Sequence, residues 1–74
     1  MAIKADKKTR ELVYRLCNGI RRESDICDYL ISYYNSQFYD RIETETAVRY
    51  HISKLKESGL IYIKYNGRIL DLDR

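Results

Sequence analysis

The apolar positions change period along the chain, and each change marks an element. Over residues 44–58, Val48, Ile52 and Leu55 fall in one narrow sector of a helical wheel. Thr46, Tyr50, Ser53 and Glu57 lie opposite, flanked by Arg49 and Lys54. That spacing predicts an amphipathic helix with one face on a core and one face outward. Thr44 is its expected N-cap, Glu45 puts a carboxylate in the first turn where the helix dipole favours it, and Gly59 supplies the left-handed residue that ends it. Residues 60–72 follow as two short runs around Asn66-Gly67, the strongest short hairpin signal. With those two residues as the loop, Lys64 faces Ile69, Ile63 faces Leu70 and Ile61 faces Leu72. Ile61, Ile63, Leu70 and Leu72 then share the inward face, and Tyr62, Lys64, Ile69 and Asp71 the other, where Ile69 is a misfit.

Two more helices are expected upstream. Asp6 or Thr9 caps the first, which ends near Asn18-Gly19 and turns Leu12, Val13, Leu16, Cys17 and Ile20 to the core. Tyr14 sits off that stripe, as an exposed aromatic or a subunit contact. Ser24 caps the second, with Asp25 and Asp28 near its positive end and Ile26, Cys27, Leu30, Ile31 and Tyr34 as its buried stripe. The connection over residues 35–43 lacks glycine. Phe38, Tyr39 and Ile42 are expected to anchor it as an extended turn, with Arg41 beside the entrance of the third helix as a phosphate-contact candidate.

AVRYHISKLKESGLI followed by a basic hairpin resembles the recognition helix and wing of winged helix-turn-helix DNA-binding domains, particularly small prokaryotic, archaeal or archaeal-virus transcription regulators. The resemblance covers about the last half of the chain closely, and the upstream helices agree in order and length. It implies an α+β fold of three helices followed by a C-terminal β-hairpin wing. On that reading residues 1–74 form a single winged-helix domain, with a flexible basic arm at 1–8, a wing at 60–72, and Ile20 to Arg22 where a short strand often joins the wing. The implied function is sequence-specific binding of double-stranded DNA by a transcription regulator, with helix 44–58 in the major groove and the 64–68 wing on backbone or minor groove. Residues matching the base-facing positions are Glu45, Thr46, Arg49, Tyr50 and Ser53, with Lys54 and Lys56 placed for phosphate. Arg49 is the best base reader, because a guanidinium binds guanine O6 and N7 bidentately. At the wing tip Lys64 and Arg68 suit backbone or minor-groove contact, while Asn66 is already required by the turn.

Charge sharpens this picture. The net charge is only +3, but residues 1–22 carry +5, residues 23–45 carry −5 and residues 46–70 carry +4, so the basic charge is segregated to the arm and to the helix-wing unit. A 74-residue chain has room for one small domain with a marginal core. Self-association as a homodimer is therefore attractive, though no extra C-terminal dimerisation helix is present to provide it. Neither a membrane-length apolar run nor a signal-peptide pattern occurs, which points to a cytoplasmic, intracellular protein. Eight tyrosines and no proline suit an AT-rich coding sequence, as in a thermophilic host or its viruses.

Chemistry beyond binding has little support in the residues. Cys17 and Cys27 face inward on neighbouring helices; two buried free thiols and a structural disulfide both fit, depending on the redox setting. No CxxC or HxxxH spacing suggests a metal site, and His51 is read as a boundary residue packing on the first or second helix. Glycine-rich phosphate loops, nucleophile elbows and histidine relays are absent, so neither an enzyme, a cofactor nor a small-molecule effector is expected. The rival to DNA binding is a winged-helix adaptor that contacts protein through Tyr14, Tyr29, Tyr33 and Tyr39. RNA binding is a third possibility.

Overall fold

The computed structural model describes residues 7–33 and 41–72. The readings for residues 1–6 of the arm, for Asp6 as a cap, and for Tyr34, Phe38 and Tyr39 lie outside them. The elements run α1 (Lys7–Leu16), β1 (Asn18–Arg22), α2 (Glu23–Tyr33), α3 (Arg41–Glu57), β2 (Ile61–Ile63) and β3 (Arg68–Asp71). Among the described residues, three helices and a three-stranded antiparallel sheet in the order β1-β3-β2 make a small α+β domain.

Helix α1 starts at Lys7, the earlier of the two starts its sequence suggests, and stops sooner than expected. Lys7 and Lys8 belong to the helix rather than to an arm, and Thr9 is a buried third residue rather than a cap. Its end comes at Leu16 because Asn18 and Gly19 redirect the chain. The Asn18 side chain accepts a hydrogen bond from the Ile20 amide at 3.0 Å, and Gly19 adopts φ 86°. Ile20 therefore leaves the helix, lies in β1 and is exposed, against the expectation that it joins the core stripe. Strand β1 pairs with β3, as expected for a strand joining the hairpin, with Asn18 opposite Leu70 and Arg22 opposite Arg68.

No loop separates β1 from α2. Arg22 occupies the N-cap position, where its amide donates to Asp25 Oδ2 at 3.0 Å, the reciprocal half of a capping box. Ser24 is thus a second helical residue and not the cap. Ile26, Cys27 and Leu30 are buried, while Ile31 is only half-buried.

Helix α3 begins at Arg41, so Thr44 is its fourth residue and not its N-cap. The core-facing sector is wider than Val48, Ile52 and Leu55 alone, for Thr44, Ala47 and His51 are buried beside them. Ile42 falls on the opposite side of this longer helix and is 74% exposed, rather than anchoring a turn. The helix ends as its sequence predicts. Gly59 (φ 74°) donates to the Lys56 carbonyl and Leu60 to the Leu55 carbonyl, both at 3.0 Å, the paired bonds of a Schellman cap.

The hairpin register is one residue away from the expected one. Ile61 pairs with Asp71, Tyr62 with Leu70 and Ile63 with Ile69. Lys64 closes the loop: its amide donates to the Arg68 carbonyl, and the Gly67 amide donates to the Lys64 carbonyl, both at 2.8 Å. The loop is therefore the three residues Tyr65, Asn66 and Gly67, with Gly67 at φ 87° as the bulge glycine. Since a one-residue slip exchanges the faces of β3, Ile69 and Asp71 turn inward, Leu72 is substantially exposed, and Leu70 lies on the outer face with Tyr62; Ile63, on the same side as its partner Ile69, is partly exposed. The misfit at Ile69 disappears.

One core joins Val13, Leu16 and Cys17 to Ile26, Cys27 and Leu30, to Ala47, Val48, Ile52 and Leu55 of α3, and to Ile61 and Ile69 of the sheet. Helix α3 packs against both α1 and α2 and carries the hairpin at its end, so its outward face is held by every other layer. Among the described residues no helix is long and apolar enough to cross a membrane.

Candidate nucleic-acid interface

With its inner sector committed to the core, α3 presents Ile42, Thr46, Arg49 and Ser53 as an exposed ridge, at spacings that stack along one helix face. The Thr46 hydroxyl donates to the Ile42 carbonyl at 2.9 Å, fixing its rotamer against the helix. Arg41, Thr46, Arg49, Tyr50, Ser53, Lys56, Asn66 and Arg68 are exposed, and Glu45, Lys54 and Lys64 are half-buried.

Acids of α2 set the electrostatics of this face. Arg41 pairs with Asp28, and its Nε also reaches Glu45 Oε1 at 3.1 Å. The hydrogen bond from Arg41 to Asp28 holds the guanidinium proton more firmly still, so the group stays charged while two carboxylates offset it. Arg49 Nε lies 3.3 Å from Glu23 Oε1. Lys54 Nζ lies 3.6 Å from Glu57 Oε2. Exposed pairs of this kind are weak in water, so an incoming anion can displace them.

Glu23 is also the link between α3 and the hairpin. It follows Arg22 directly, and Arg22 runs alongside the turn: a Cβ added at Gly67 would lie 3.9 Å from its side-chain carbons. Arg22 stands opposite Arg68 in the ladder, and Lys64 closes the same loop. Arg49, Glu23, Arg22, Arg68 and Lys64 therefore form one continuous track from the helix ridge to the hairpin tip. Among the described residues Arg22, Arg68 and Lys64 form no ion pair; Lys64 Nζ instead donates to the Gly19 carbonyl at 3.4 Å. Asn66 is used by the turn, its Oδ1 accepting from the Arg68 amide at 3.1 Å. Arg22 is not among the residues that the sequence singles out. Its pairing partner Arg68 is the signal that identifies it.

The opposite flank of α3 carries Tyr50. Arg10 and Lys54 each place their cationic group 5.7 Å from its ring centroid. His51 is fully buried rather than at a boundary, and its Nδ1 accepts from Arg10 Nε at 3.2 Å, so it does contact the first helix.

The cysteines are not bridged. Both are buried free thiols, and Cys17, just past the end of α1, directs its S–H back to the Val13 carbonyl of that helix at 3.2 Å in place of a bond to Cys27. Burial, reinforced by the charge of Asp71, pushes Cys17 up to about 11. Burial, reinforced chiefly by Glu23, does the same to Cys27. Protonated and enclosed, neither is a nucleophile or a thiolate ligand near neutral pH. Among the described residues no group of His, Cys, Asp and Glu is arranged to hold a metal ion. No protein-family profile, curated protein or solved structure matches this chain.

Proposed function

We propose that this domain is a winged helix-turn-helix protein that binds double-stranded DNA in the cell interior and acts as a transcription regulator. Helix α3 enters the major groove with Thr46, Arg49 and Ser53 toward base edges, and the β2-β3 hairpin, with Arg22 beside it, rests on backbone or minor groove. The observation that carries this reading is the continuous track from Arg49 through Arg22 to Arg68 and Lys64, basic except for Glu23. Glu23, Asp28 and Glu45 temper it. They make loose, sequence-independent contact with phosphate less favourable, and Arg49 is released for a base only where docking is close. A dimer would use surfaces outside this track.

A second reading has its own observation. Tyr29 and Tyr33 stack with centroids 6.3 Å apart and both are exposed. That pair suits a protein-contact patch; Tyr14, half-buried with its hydroxyl directed at Asp71, offers less of its surface to one.

Binding to random-sequence duplex across a salt series, for the wild type and for an Arg22→Ala, Arg49→Ala, Lys64→Ala, Arg68→Ala variant, separates the two. A linear fall of log affinity with log salt supports DNA binding when the variant's slope is shallower by about one unit for each phosphate that it no longer neutralises. Negligible binding by the folded wild type at low salt leaves the adaptor reading, and preference for hairpin RNA over duplex would redirect the same track to RNA.

A further inference from the structure

Arg10 differs from the arginines of the candidate track in what holds it. Arg41 and Arg49 are oriented by carboxylates, which cancel their charge as they position it. Arg10 is oriented by neutral groups. Its Nε donates to Nδ1 of the fully buried His51 at 3.2 Å, and its guanidinium carbon lies 5.7 Å from the Tyr50 centroid. Accepting that bond requires an unprotonated Nδ1, so the histidine brings no charge of its own. Among the described residues Arg10 forms no ion pair, and its two Nη groups make no hydrogen bond. Glu11 lies beside it along the same depression with Lys7 but does not pair with it. A half-buried guanidinium pinned at one nitrogen, with no carboxylate paired to it and its remaining donors unused among the described residues, is preorganised for an anion. Lys54, on the same tyrosine ring, adds a second cation, partly offset by Glu57.

We infer that Arg10, with Tyr50 and Lys54, forms a phosphate-binding site at the crossing of α1 and α3, in which His51 is the positioning residue. That the phosphate belongs to duplex DNA rests on the DNA-binding reading; a free phosphate or phosphoester offers the same chemistry. The site lies on the flank of α3 away from Arg49, so the two grip DNA backbone and base edges from opposite sides of one helix.

The test has two arms on the full chain. In the first, duplex affinity is measured across salt for the wild type, Arg10→Gln, His51→Gln and His51→Leu. Removing one neutralised phosphate lowers the salt slope by about 0.9, and the expectation is that decrease in Arg10→Gln and His51→Leu, with recovery in His51→Gln, whose amide oxygen accepts the same bond. In the second arm, inorganic phosphate is titrated while the Arg10 Nε–H resonance is followed by NMR. That resonance is expected to be protected from exchange in the wild type and in His51→Gln, lost in His51→Leu, and shifted by phosphate in the wild type. Steep salt dependence in the wild type with an unchanged slope in Arg10→Gln overturns the site and leaves the DNA reading standing. Flat duplex binding with a phosphate-dependent shift retains the site and removes DNA as its ligand. Absence of both effects overturns the site altogether.

Discussion

The Tyr14 hydroxyl donates to Asp71 Oδ1 at 2.8 Å, tying the middle of α1 to the last residue of β3 across 57 positions of sequence. Asp71 is buried, and it sits opposite Ile61 in the ladder. A carboxylate there is tolerable only if it is hydrogen-bonded, because an unsatisfied buried acceptor retains its full desolvation cost. Tyr14→Phe removes one of those bonds while preserving the ring. It is expected to destabilise the domain by about 1–3 kcal/mol in urea unfolding. A variant as stable as the wild type would mean that water or another group serves Asp71 equally well.

The turn can be tested at a single carbon. Gly67 has φ 87°, yet a Cβ placed there meets nothing closer than 3.9 Å. Gly67→Ala therefore incurs backbone strain without a clash, expected at about 1–2 kcal/mol. Gly19→Ala adds a contact at 3.1 Å with Leu70 Cδ1 to a similar φ of 86°, and is expected to be the worse of the two. Thermal unfolding of both variants gives the order; the reverse order would contradict the close approach of β1 to β3.

These positions also show where sequence is a sufficient guide. The outward face of α3 is legible because Val48, Ile52 and Leu55 fix its phase, and lengthening the helix to Arg41 widens the buried sector without rotating Arg49 or Ser53 inward. The hairpin is legible as an element but not in register. Asn66-Gly67 serves a two-residue loop and a three-residue loop with a bulge equally well, since both use a glycine at positive φ. The register formed buries Asp71 and exposes Leu72, so counting apolar residues on the inner face favours the other one. A hydrogen bond from Tyr14, far upstream, helps to make the register that forms physically sound. The charge environment of the site is not legible either. Asp28 and Glu23, the acids that pair with Arg41 and Arg49, reach them only through the packing of α2 on α3.

The buried thiols predict an alkaline loss of stability. Cys17 and Cys27 each move from an ordinary value of 9.0 to about 11 in the folded protein, so the fold favours their protonated forms. The stabilisation is complete below pH 9. Between pH 9 and 11 the unfolded chain sheds these protons before the folded chain does, and the contribution disappears as pH rises through the folded values. The midpoint of urea unfolding is expected to fall across that window more steeply in the wild type than in Cys17→Ala, Cys27→Ala, which lowers overall stability but lacks both titrations. Parallel profiles would mean that the two thiols do not govern the alkaline limb. At neutral pH, thiol reagents should label the folded protein slowly and the urea-unfolded protein fast.

Glu23 offers the most informative change in the candidate interface, because it is the acid inside an otherwise basic track. Its carboxylate pairs with Arg49 on one side and follows Arg22 on the other, so any phosphate approaching the track meets it. Glu23→Gln keeps the shape and a hydrogen-bond acceptor for Arg49 while removing the charge. Some stability is lost, since Glu23 occupies the first turn of α2 where the helix dipole favours an acid, a contribution of about 0.3–1 kcal/mol. Affinity for random duplex at low salt is expected to rise several-fold, with a steeper salt slope, because Arg49 no longer exchanges one anion for another on binding. If the substitution instead weakens binding to a selected site while leaving random duplex unaffected, Glu23 aims Arg49 at a base rather than restraining it. A variant that matches the wild type on both DNAs across the salt series would place the Arg49 end of the track outside the contact. The hairpin tip with Arg22, Lys64 and Arg68 would then have to account for DNA binding by itself.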